Sequence, residues 1–306
     1  MSTSPIRVGT ASWTDPTLLA CGRFYPPGVD SAAGRLRHYA SQFSMVEVDS
    51  SYYALPDPRV AHQWTLRTPP DFVFNVKAFR LLTGHGAPAA ALPADLRGEL
   101  ADDAAPTLYY RDLPKTIRRE VWARFLEGIE PLRQAGKLGA LHFQFAPWIR
   151  PDEAGRAHVA HCLDMSEGMV CGVEFRQRDW FASPRTSWTL DFLRDRQAAH
   201  VVVDSPQGFD NTVPAVWETT RADLALVRLH GRNAANWKAP ATGASSGRFR
   251  YEYSEAELAE LARRTRELAA QLKNGQTHVV LNTNYQDQGV RNARGFVQAL
   301  TMLPPS

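Results

Sequence analysis

The amino-acid sequence predicts a single α/β domain with the (β/α)8 architecture of a TIM-type barrel, and three observations support this. The chain has 306 residues, of which 44% are hydrophobic, which is enough to build one large core. Short apolar runs alternate eight times with helical patterns, which is the order of a closed parallel barrel. No GxGxxG or Walker loop follows a predicted strand, which disfavours a doubly wound dinucleotide-binding sheet. We therefore treat residues 1–306 as one domain.

The eight strands are predicted where β-branched or aromatic residues form short runs between turn signals. In chain order they cover residues 6–10, 44–49, 72–77, 138–145, 169–175, 199–204, 224–230 and 277–283. A helical pattern follows each of them.

Helix boundaries between the strands carry recognisable signals. A proline is expected at the first helical position, where its missing N–H group costs nothing, at Pro58, Pro114, Pro151 and Pro184. Ser254 and Glu257 have the spacing of a capping box. Gly136 and Gly275 follow helical runs, which predicts left-handed helix C-caps.

Two connections, residues 78–113 and 230–253, are too long to be simple turns and predict lids or binding loops. For the Ala- and Pro-rich part, residues 86–106, a flexible insertion is the alternative to a lid. The second connection interleaves cations with aromatic rings, at Trp237, Lys238, Arg248, Arg250, Tyr251 and Tyr253.

Polar residues alternate with apolar ones along seven of the predicted strands and collect where those strands end. In residues 141–145, Leu141, Phe143 and Phe145 share one face, and His142 and Gln144 share the other. If the apolar faces contact the helices, the polar faces point into the barrel and gather at its C-terminal rim, where barrel enzymes keep their active sites. The sequence therefore predicts a functional site at that rim.

The residue types at the rim favour acid/base chemistry on a small anionic substrate, which would be phosphorylated or sugar-like. Four residues are predicted to act in catalysis: Glu47, Glu174, Asp204 and His230. Nine are predicted to bind the substrate: Trp13, Tyr53, Lys77, Gln144, Arg176, Arg228, Arg232, Asn282 and Asn284. The expected reaction is a hydrolysis, elimination or isomerisation without a metal, and no cofactor is predicted.

Several alternatives remain open at this stage. The charged groups could be structural ion pairs, for example Glu174 with Arg228 or Asp204 with Arg176. Glu174, Asp204 and His230 could instead bind a divalent metal, as in a phosphodiesterase, although the basic residues nearby oppose a dication. The cationic, aromatic loop at residues 230–253 leaves nucleic acid or a nucleotide open as a partner. A binding protein without catalysis is the third class.

Composition and charge disfavour several classes of protein and predict a cellular compartment. The net charge of +3 and the pI near 8.8 fall short of a dedicated nucleic-acid coat. Three cysteines without a CxxC pair argue against a disulfide framework and against a zinc site. There is no leader pattern and no long apolar run, so we expect a cytoplasmic protein without a membrane partner. The oligomeric state is left open.

A set of motifs in a fixed order spans nearly the whole chain. They read 9-GTASW-13, 24-FYP-26, 46-VEVDSSYYALP-56, 72-FVFNVK-77, 83-TGH-85, 173-VEFRQRDW-180, 227-VRLHGR-232 and 282-NTNYQDQGVRNA-293. In these motifs the chain resembles the YecE-like family, also called domain of unknown function 72. The resemblance implies a TIM-type barrel, in agreement with the strand count, and it implies no particular reaction.

Overall fold

Eight parallel strands form a nearly closed barrel in a computed structural model that describes residues 4–101, 105–237 and 247–304. Together with the two strands of a separate hairpin, β4 and β5, the strands are β1 (Ile6–Thr10), β2 (Met45–Val48), β3 (Val73–Lys77), β4 (Ala87–Pro88), β5 (Thr107–Leu108), β6 (Leu138–Gln144), β7 (Cys171–Glu174), β8 (Ala199–Asp204), β9 (Leu224–Leu229) and β10 (Gln276–Leu281). The hydrogen-bonded order around the barrel is β1-β10-β9-β8-β7-β6-β3-β2, and β4 pairs antiparallel with β5 outside it. The predicted barrel and its eight strands are confirmed.

The barrel closes between β1 and β2 through a short contact at their C-terminal ends. Ala11 forms a parallel bridge with Glu47, and the Ser12 N–H donates to the Glu47 carbonyl over 2.9 Å. Closure brings Glu47 beside the strands that carry the other charged residues. The first and last barrel strands, β1 and β10, pair directly from Ile6 to Thr10.

Helices cover the outside of the barrel between successive strands. They are α1 (Pro16–Cys21), α2 (Ala32–Gln42), α3 (Ser50–Tyr53), α4 (Pro58–Leu66), α5 (Ala94–Gly98), α6 (Lys115–Gln134), α7 (Glu153–Asp164), α8 (Arg185–Asp195), α9 (Glu255–Ala269) and α10 (Gln288–Met302). Short 3-10 helices occur at Ala89–Ala91, Tyr110–Asp112 and Arg178–Phe181. No helix among the described residues is long and apolar enough to cross a membrane.

The proline signals placed helix starts only approximately. Pro58 lies in the first turn of α4, as predicted, whereas Pro114 and Pro184 are the residues just before α6 and α8. Pro151 precedes the N-cap of α7, because the side chain of Asp152 accepts a hydrogen bond from Gly155 N and so fixes the start of that helix.

Of the predicted helix caps, two are confirmed and one is wrong. Ser254 and Glu257 form a reciprocal capping box at α9. Gly136 follows α6 with a φ of 68°. Gly275 does not adopt the left-handed conformation, which is taken by Asn274 with a φ of 58°. Gly275 is required for another reason: a Cβ there would lie 2.6 Å from the backbone of Asp223.

The connection after β3 contains the short α5 and a two-stranded hairpin as well as coil. Ala87, Leu92 and Leu96 are each at most 2% exposed and join the hydrophobic core. Within residues 86–106 the structure leaves positions 102–104 undescribed, so the flexible-insertion and lid interpretations stay predictions. Similarly, Lys238 in the connection after β9 lies outside the described residues.

Polar side chains occupy much of the barrel interior, where branched apolar residues are usual. Small residues on the strands make room for them. A Cβ at Gly139 would lie 2.6 Å from Asn75 Oδ1, and the Asn75 side chain lies 3.1 Å from His278 Nδ1 in the same interior. His142 and Gln144 contact Glu174 in the interior, as the alternation along β6 predicts, but the alternation is interrupted at Gly139, where the register between β3 and β6 shifts.

Candidate active site

The arginine of β9 bridges two carboxylates inside the barrel. Arg228 Nη1 donates to Glu174 Oε2 over 2.7 Å, and Nη2 donates to Glu47 Oε1 over 2.6 Å. All three side chains are at most 2% exposed. Two charge-assisted bonds from one guanidinium hold both buried carboxylates, and its single positive charge offsets one of their two negative charges. The ion pair of Glu174 with Arg228, which the sequence left open as an alternative, is therefore present.

Glu174 collects hydrogen bonds from several strands at once. Its carboxylate accepts from Gln144 Nε2 at 2.6 Å and lies 3.1 Å from His142 Nε2 and 3.0 Å from His230 Nε2. Burial raises the pKa of Glu174, but the attraction of Arg228 and the hydrogen bond from His230 outweigh it and hold that pKa well below the ordinary value. The carboxylate is ionised at neutral pH and can only accept hydrogen bonds.

The tautomer of His230 follows from this. Since Glu174 only accepts, His230 Nε2 must carry the proton, and His230 Nδ1 must accept from Asn282 Nδ2 at 2.8 Å. Burial lowers the pKa of His230 to about 4, although Glu174 raises it in part. The ring is neutral at pH 7, and both of its nitrogens are occupied.

His142 completes the interior charge cluster, by which we mean Glu47, His142, Glu174, Arg228 and His230. Its Nδ1 lies 3.0 Å from Glu47 Oε2, close enough for an ion pair but without hydrogen-bond alignment. Burial raises the pKa of Glu47, and Arg228 and His142 together hold it far below its ordinary value. Glu47 and Glu174 are thus anchored counterions and weak bases.

Asp204 and Arg232 form a second assembly. Arg232 Nε and Nη2 donate to the Asp204 carboxylate over 2.8–3.1 Å, and the Tyr253 hydroxyl donates to Asp204 Oδ2 over 2.7 Å. Gly231 N donates to the same Tyr253 oxygen. Asp204 therefore pairs with Arg232, and the pairing with Arg176 that the sequence left open is not present. This assembly ties the chain after β9 to β8.

A cavity of about 300 Å³ opens at the C-terminal mouth of the barrel. Its walls are formed by Asp49, Tyr52, Tyr53, Lys77, His85, Gln144, Pro147, Trp148, Arg176, Asn211, Arg248, Phe249, Asn282 and Asn284. We call this space the mouth cavity. Six of the predicted site residues line it: Tyr53, Lys77, Gln144, Arg176, Asn282 and Asn284.

The other predicted site residues lie elsewhere. Glu47, Glu174, Arg228 and His230 belong to the interior charge cluster, and Asp204 and Arg232 belong to the second assembly. Trp13 is 7% exposed and packs edge-on against Trp64 and Phe74, with ring centroids 5.5 and 6.4 Å apart. It does not line the mouth cavity, because it packs into the hydrophobic core.

Basic side chains outnumber acidic ones in the cavity wall. Lys77 Nζ donates to Asp49 Oδ1 over 2.8 Å, and Asp49 is the only acidic residue among the described residues of the lining. Arg176 and Arg248 both lie over the Trp237 ring, 5.3 and 5.8 Å from its centroid. Among the described residues, Arg248 makes no ion pair with a carboxylate.

His85 is a cavity residue with a fixed tautomer. The Thr83 hydroxyl donates to the Arg80 carbonyl over 3.1 Å, so it accepts from His85 Nδ1 at 3.0 Å. His85 Nε2 is then the unprotonated nitrogen. Burial lowers the pKa of His85 to about 3, and nearby Lys77 and Arg80 contribute. The ring is a neutral hydrogen-bond acceptor at pH 7.

These features can be compared with known proteins. A family model described as "Protein of unknown function DUF72" matches residues 7–305. The chain belongs to the DUF72 family. The family resemblance expected from the motifs is thereby confirmed.

DUF72 relatives share both the length and the fold of the chain. The UPF0759 protein YunF of Bacillus subtilis strain 168 is 30% identical over 297 residues, which cover 96% of this chain and 94% of that protein. A DUF72 crystal structure from Thermotoga maritima is 28% identical with a TM-score of 0.74, covering 97% and 99% of the two chains. One from Enterococcus faecalis V583 is 24% identical with a TM-score of 0.77, covering 98% and 97%. They bear out the barrel fold over the full length.

The DUF72 chain brings residues to the cavity that the sequence did not single out as site residues. Asp49 occurs in a quoted motif directly after β2, so its position at a strand end was an available signal, whereas His85 occurs in the motif of residues 83–85, further along the connection after β3. Arg248 belongs to the cationic, aromatic loop. Asn211 had no signal, because it lies within the long connection between β8 and β9.

A metal site at Glu174, Asp204 and His230 is not assembled. The Asp204 carboxylate is bound by Arg232 and Tyr253, and His230 donates to Glu174. In the described parts of this DUF72 chain, no group of three or more His, Cys, Asp or Glu side chains is arranged to hold a metal ion.

Proposed function

We propose that the chain is an enzyme that binds a small anionic molecule in the mouth cavity and transfers a proton there without a metal. The observation that carries the proposal is the charge of the cavity wall. Lys77, Arg176 and Arg248 line it, and in the part of the chain that the structure describes Asp49 is the only carboxylate of the lining. An anion placed between them would receive N–H donors from three directions.

The interior charge cluster does not cancel this excess. Arg228 bridges Glu47 and Glu174 and offsets one of their two charges, so the three lining cations still exceed the remaining charge and Asp49; Arg176 Nη1 lies at the longer distance of 3.5 Å from Glu174. With Lys77 paired to Asp49, the guanidinium of Arg248 retains its charge for a ligand. The Arg176 guanidinium, whose pKa burial lowers, would gain from an anionic partner.

His85 is the group best suited to exchange a proton with the bound molecule. Thr83 orients its ring, and Nε2 has the lone pair. A free-state pKa of about 3 makes it a weak base, because burial and the nearby cations disfavour the imidazolium. A bound anion would offset those cations and raise the pKa of His85, so proton transfer would be favoured when substrate is present.

The four residues expected from the sequence to be catalytic have a supporting role in this proposal. Glu47 and Glu174 hold Arg228 in the barrel, and Glu174 and His230 orient Gln144 and Asn282 at the cavity floor. Asp204 anchors the chain after β9. Their contribution would be to fix the cavity wall and its field.

Thermal denaturation with sulfate or phosphate tests the anion site. An anion that binds only the folded state raises the melting temperature with concentration. Arg248→Met should remove most of this shift, whereas Arg232→Met, whose guanidinium is held by Asp204 outside the cavity, should keep it. If the shift survives in both Arg248→Met and Arg176→Met, the anion does not bind in the cavity and the proposal fails.

Two further measurements separate the remaining functional classes. Binding to a nucleic-acid backbone would weaken steeply between about 50 and 200 mM salt, whereas a single small anion held by an arginine pair would respond far less. Turnover in a screen of phosphate esters and sugar acids distinguishes an enzyme from a binding protein. Addition of a chelator to any reaction found would show whether a divalent metal takes part.

A further inference from the structure

We infer that the substrate carries several hydroxyl groups beside its anionic group, as a sugar phosphate or a sugar acid does. This inference rests on the proposed function and names its substrate class. It comes from the hydrogen-bond polarity of three carboxamide side chains in the cavity wall, Gln144, Asn211 and Asn282. In each, a partner of fixed polarity determines which end of the amide remains for a ligand.

Gln144 has its amide nitrogen engaged. The Glu174 carboxylate accepts this N–H over 2.6 Å, and an ionised carboxylate cannot donate. The NH2 group of Gln144 must therefore face Glu174. Its carbonyl oxygen, Oε1, is the end left for the cavity.

Asn282 is oriented by the same carboxylate through one intermediate. Glu174 fixes the proton of His230 on Nε2, so His230 Nδ1 is an acceptor. Asn282 must then present its NH2 group to Nδ1, over 2.8 Å. Its carbonyl oxygen is left as an acceptor for a ligand.

Asn211 has the opposite orientation. Trp237 Nε1 can only donate, and it donates to Asn211 Oδ1 over 3.0 Å. The NH2 group of Asn211 remains as a donor. The cavity wall therefore combines N–H donors from Asn211 and the basic residues with at least two amide oxygens that need a donor.

An anionic group alone cannot form hydrogen bonds with both the donors and the acceptors of the cavity wall. Phosphate or carboxylate oxygens only accept, so they match Arg176 and Arg248 but would face the oxygens of Gln144 and Asn282 without a bond. An unpaired buried acceptor is unfavourable. Hydroxyl groups both donate and accept, and they fit the mixed wall. A ligand ammonium would supply donors, but the cationic lining disfavours it.

Exposed aromatic rings at the rim agree with a ligand that has a carbon skeleton. Tyr53 is 49% exposed and Trp148 is 51% exposed, and both line the cavity. The Trp148 ring is fixed in place because its Nε1 donates to the Gly84 carbonyl over 3.0 Å. Apolar ring faces beside a few directed polar groups are typical of small-molecule sites.

Isothermal titration calorimetry with matched ligand pairs tests the inference. Ribose 5-phosphate is compared with pentyl phosphate, and gluconate with hexanoate, so that each pair keeps the anion and the carbon number but differs in hydroxyl groups. For at least one pair, we expect the hydroxylated member to bind wild-type protein at least about tenfold more tightly, which corresponds to one or two hydrogen bonds. Inorganic phosphate measures the anion contribution alone.

Gln144→Met is the matching variant, because Glu174 keeps its bonds from Arg228 and His230. This variant should bind the hydroxylated ligand severalfold more weakly than wild-type protein does. Its affinities for the alkyl ligand and for inorganic phosphate should stay nearly unchanged. Equal affinities within both pairs in wild-type protein would overturn the inference, while Arg248-dependent phosphate binding would leave the proposed function standing. If no anion of the set binds, both fail. The wild-type comparison remains decisive even if the variant does not fold.

Discussion

Arg228 and Glu174 form an ion pair inside the barrel, with Arg228 Nη1 2.7 Å from Glu174 Oε2 and neither side chain more than 2% exposed. The second terminal nitrogen of Arg228 is bound by Glu47. An incoming anion would have to displace a carboxylate to reach this guanidinium. Arg228 is therefore a counterion of the barrel, and the anion site that we propose consists of Lys77, Arg176 and Arg248 in the mouth cavity.

Arg228→Met should be strongly destabilising. It leaves the buried carboxylates of Glu47 and Glu174 without their shared cation, and breaking a buried pair in this way costs about 3–5 kcal/mol. The free energy of unfolding in urea measures the loss. Arg178→Met is the control, because Arg178 pairs with Asp210 on the surface, where a pair contributes about 0–1 kcal/mol. Equal stability of Arg228→Met and wild type would contradict the counterion role.

The alternation of polar and apolar residues along the strands predicted the barrel and its polar interior well, since this alternation is a local property of the sequence. The run around His142 and Gln144 shows this: both point inward, as expected, while Phe143 is buried in the hydrophobic core. The alternation does not predict which inward-facing charged residues form ion pairs, because pairing depends on the distances between strands. Arg228 and Arg232 look equivalent in sequence, yet one lies inside the barrel and the other binds Asp204 at its edge.

The cavity wall was less predictable because most of its residues lie in loops. Trp13 follows β1 and was expected at the mouth, but its ring turns into the core beside Trp64. His85 and Asn211 reach the cavity from connections whose paths no periodicity specifies. The roles that we propose for them rest on contacts with Thr83 and Trp237, which are visible only in three dimensions.

Tyr253→Phe should destabilise the fold by about 1–3 kcal/mol, because it removes the donor to Asp204 and the acceptor for Gly231 N from a buried site. Urea denaturation measures this effect. Tyr251→Phe is a matched control, since its hydroxyl donates only to the partly exposed Glu257. A larger loss in the control than in Tyr253→Phe would contradict the anchoring role of Tyr253.

Acidification should destabilise the protein before its carboxylates titrate. Burial lowers the pKa of His200 and of His230 to about 4 and that of His278 to about 3. In the unfolded chain a histidine titrates near pH 6.5, so between these values the unfolded state binds more protons and stability falls as the pH falls. Each ring lowers the free energy of unfolding by up to about 2 kcal/mol as the pH falls from 6.5 to 5.

Urea denaturation at pH 8, 6.5 and 5 measures this dependence. His278→Gln should reduce the slope, because glutamine can still bond to Asn75 but does not titrate. The low pKa values of Glu47 and Glu174 affect stability only below about pH 4.5, outside this window. A free energy of unfolding that is constant from pH 8 to pH 5 would show that these imidazoles are not held neutral.

His85 should respond directly to an anion in the mouth cavity. In the free protein its pKa is lowered to about 3 by burial and by Lys77 and Arg80, so it is neutral at pH 7 with its proton on Nδ1. Phosphate bound beside it should raise this pKa, because the added negative charge favours the imidazolium. Nitrogen-15 NMR of labelled histidine, titrated with and without phosphate and assigned with His85→Gln, measures both the tautomer and the pKa. In Arg248→Met the phosphate effect should shrink, and in Thr83→Val the Nδ1–H tautomer should lose its preference, because its acceptor is gone. If the pKa of His85 does not change in saturating phosphate, the anion does not interact with His85, and His85 is not the proton-transfer group.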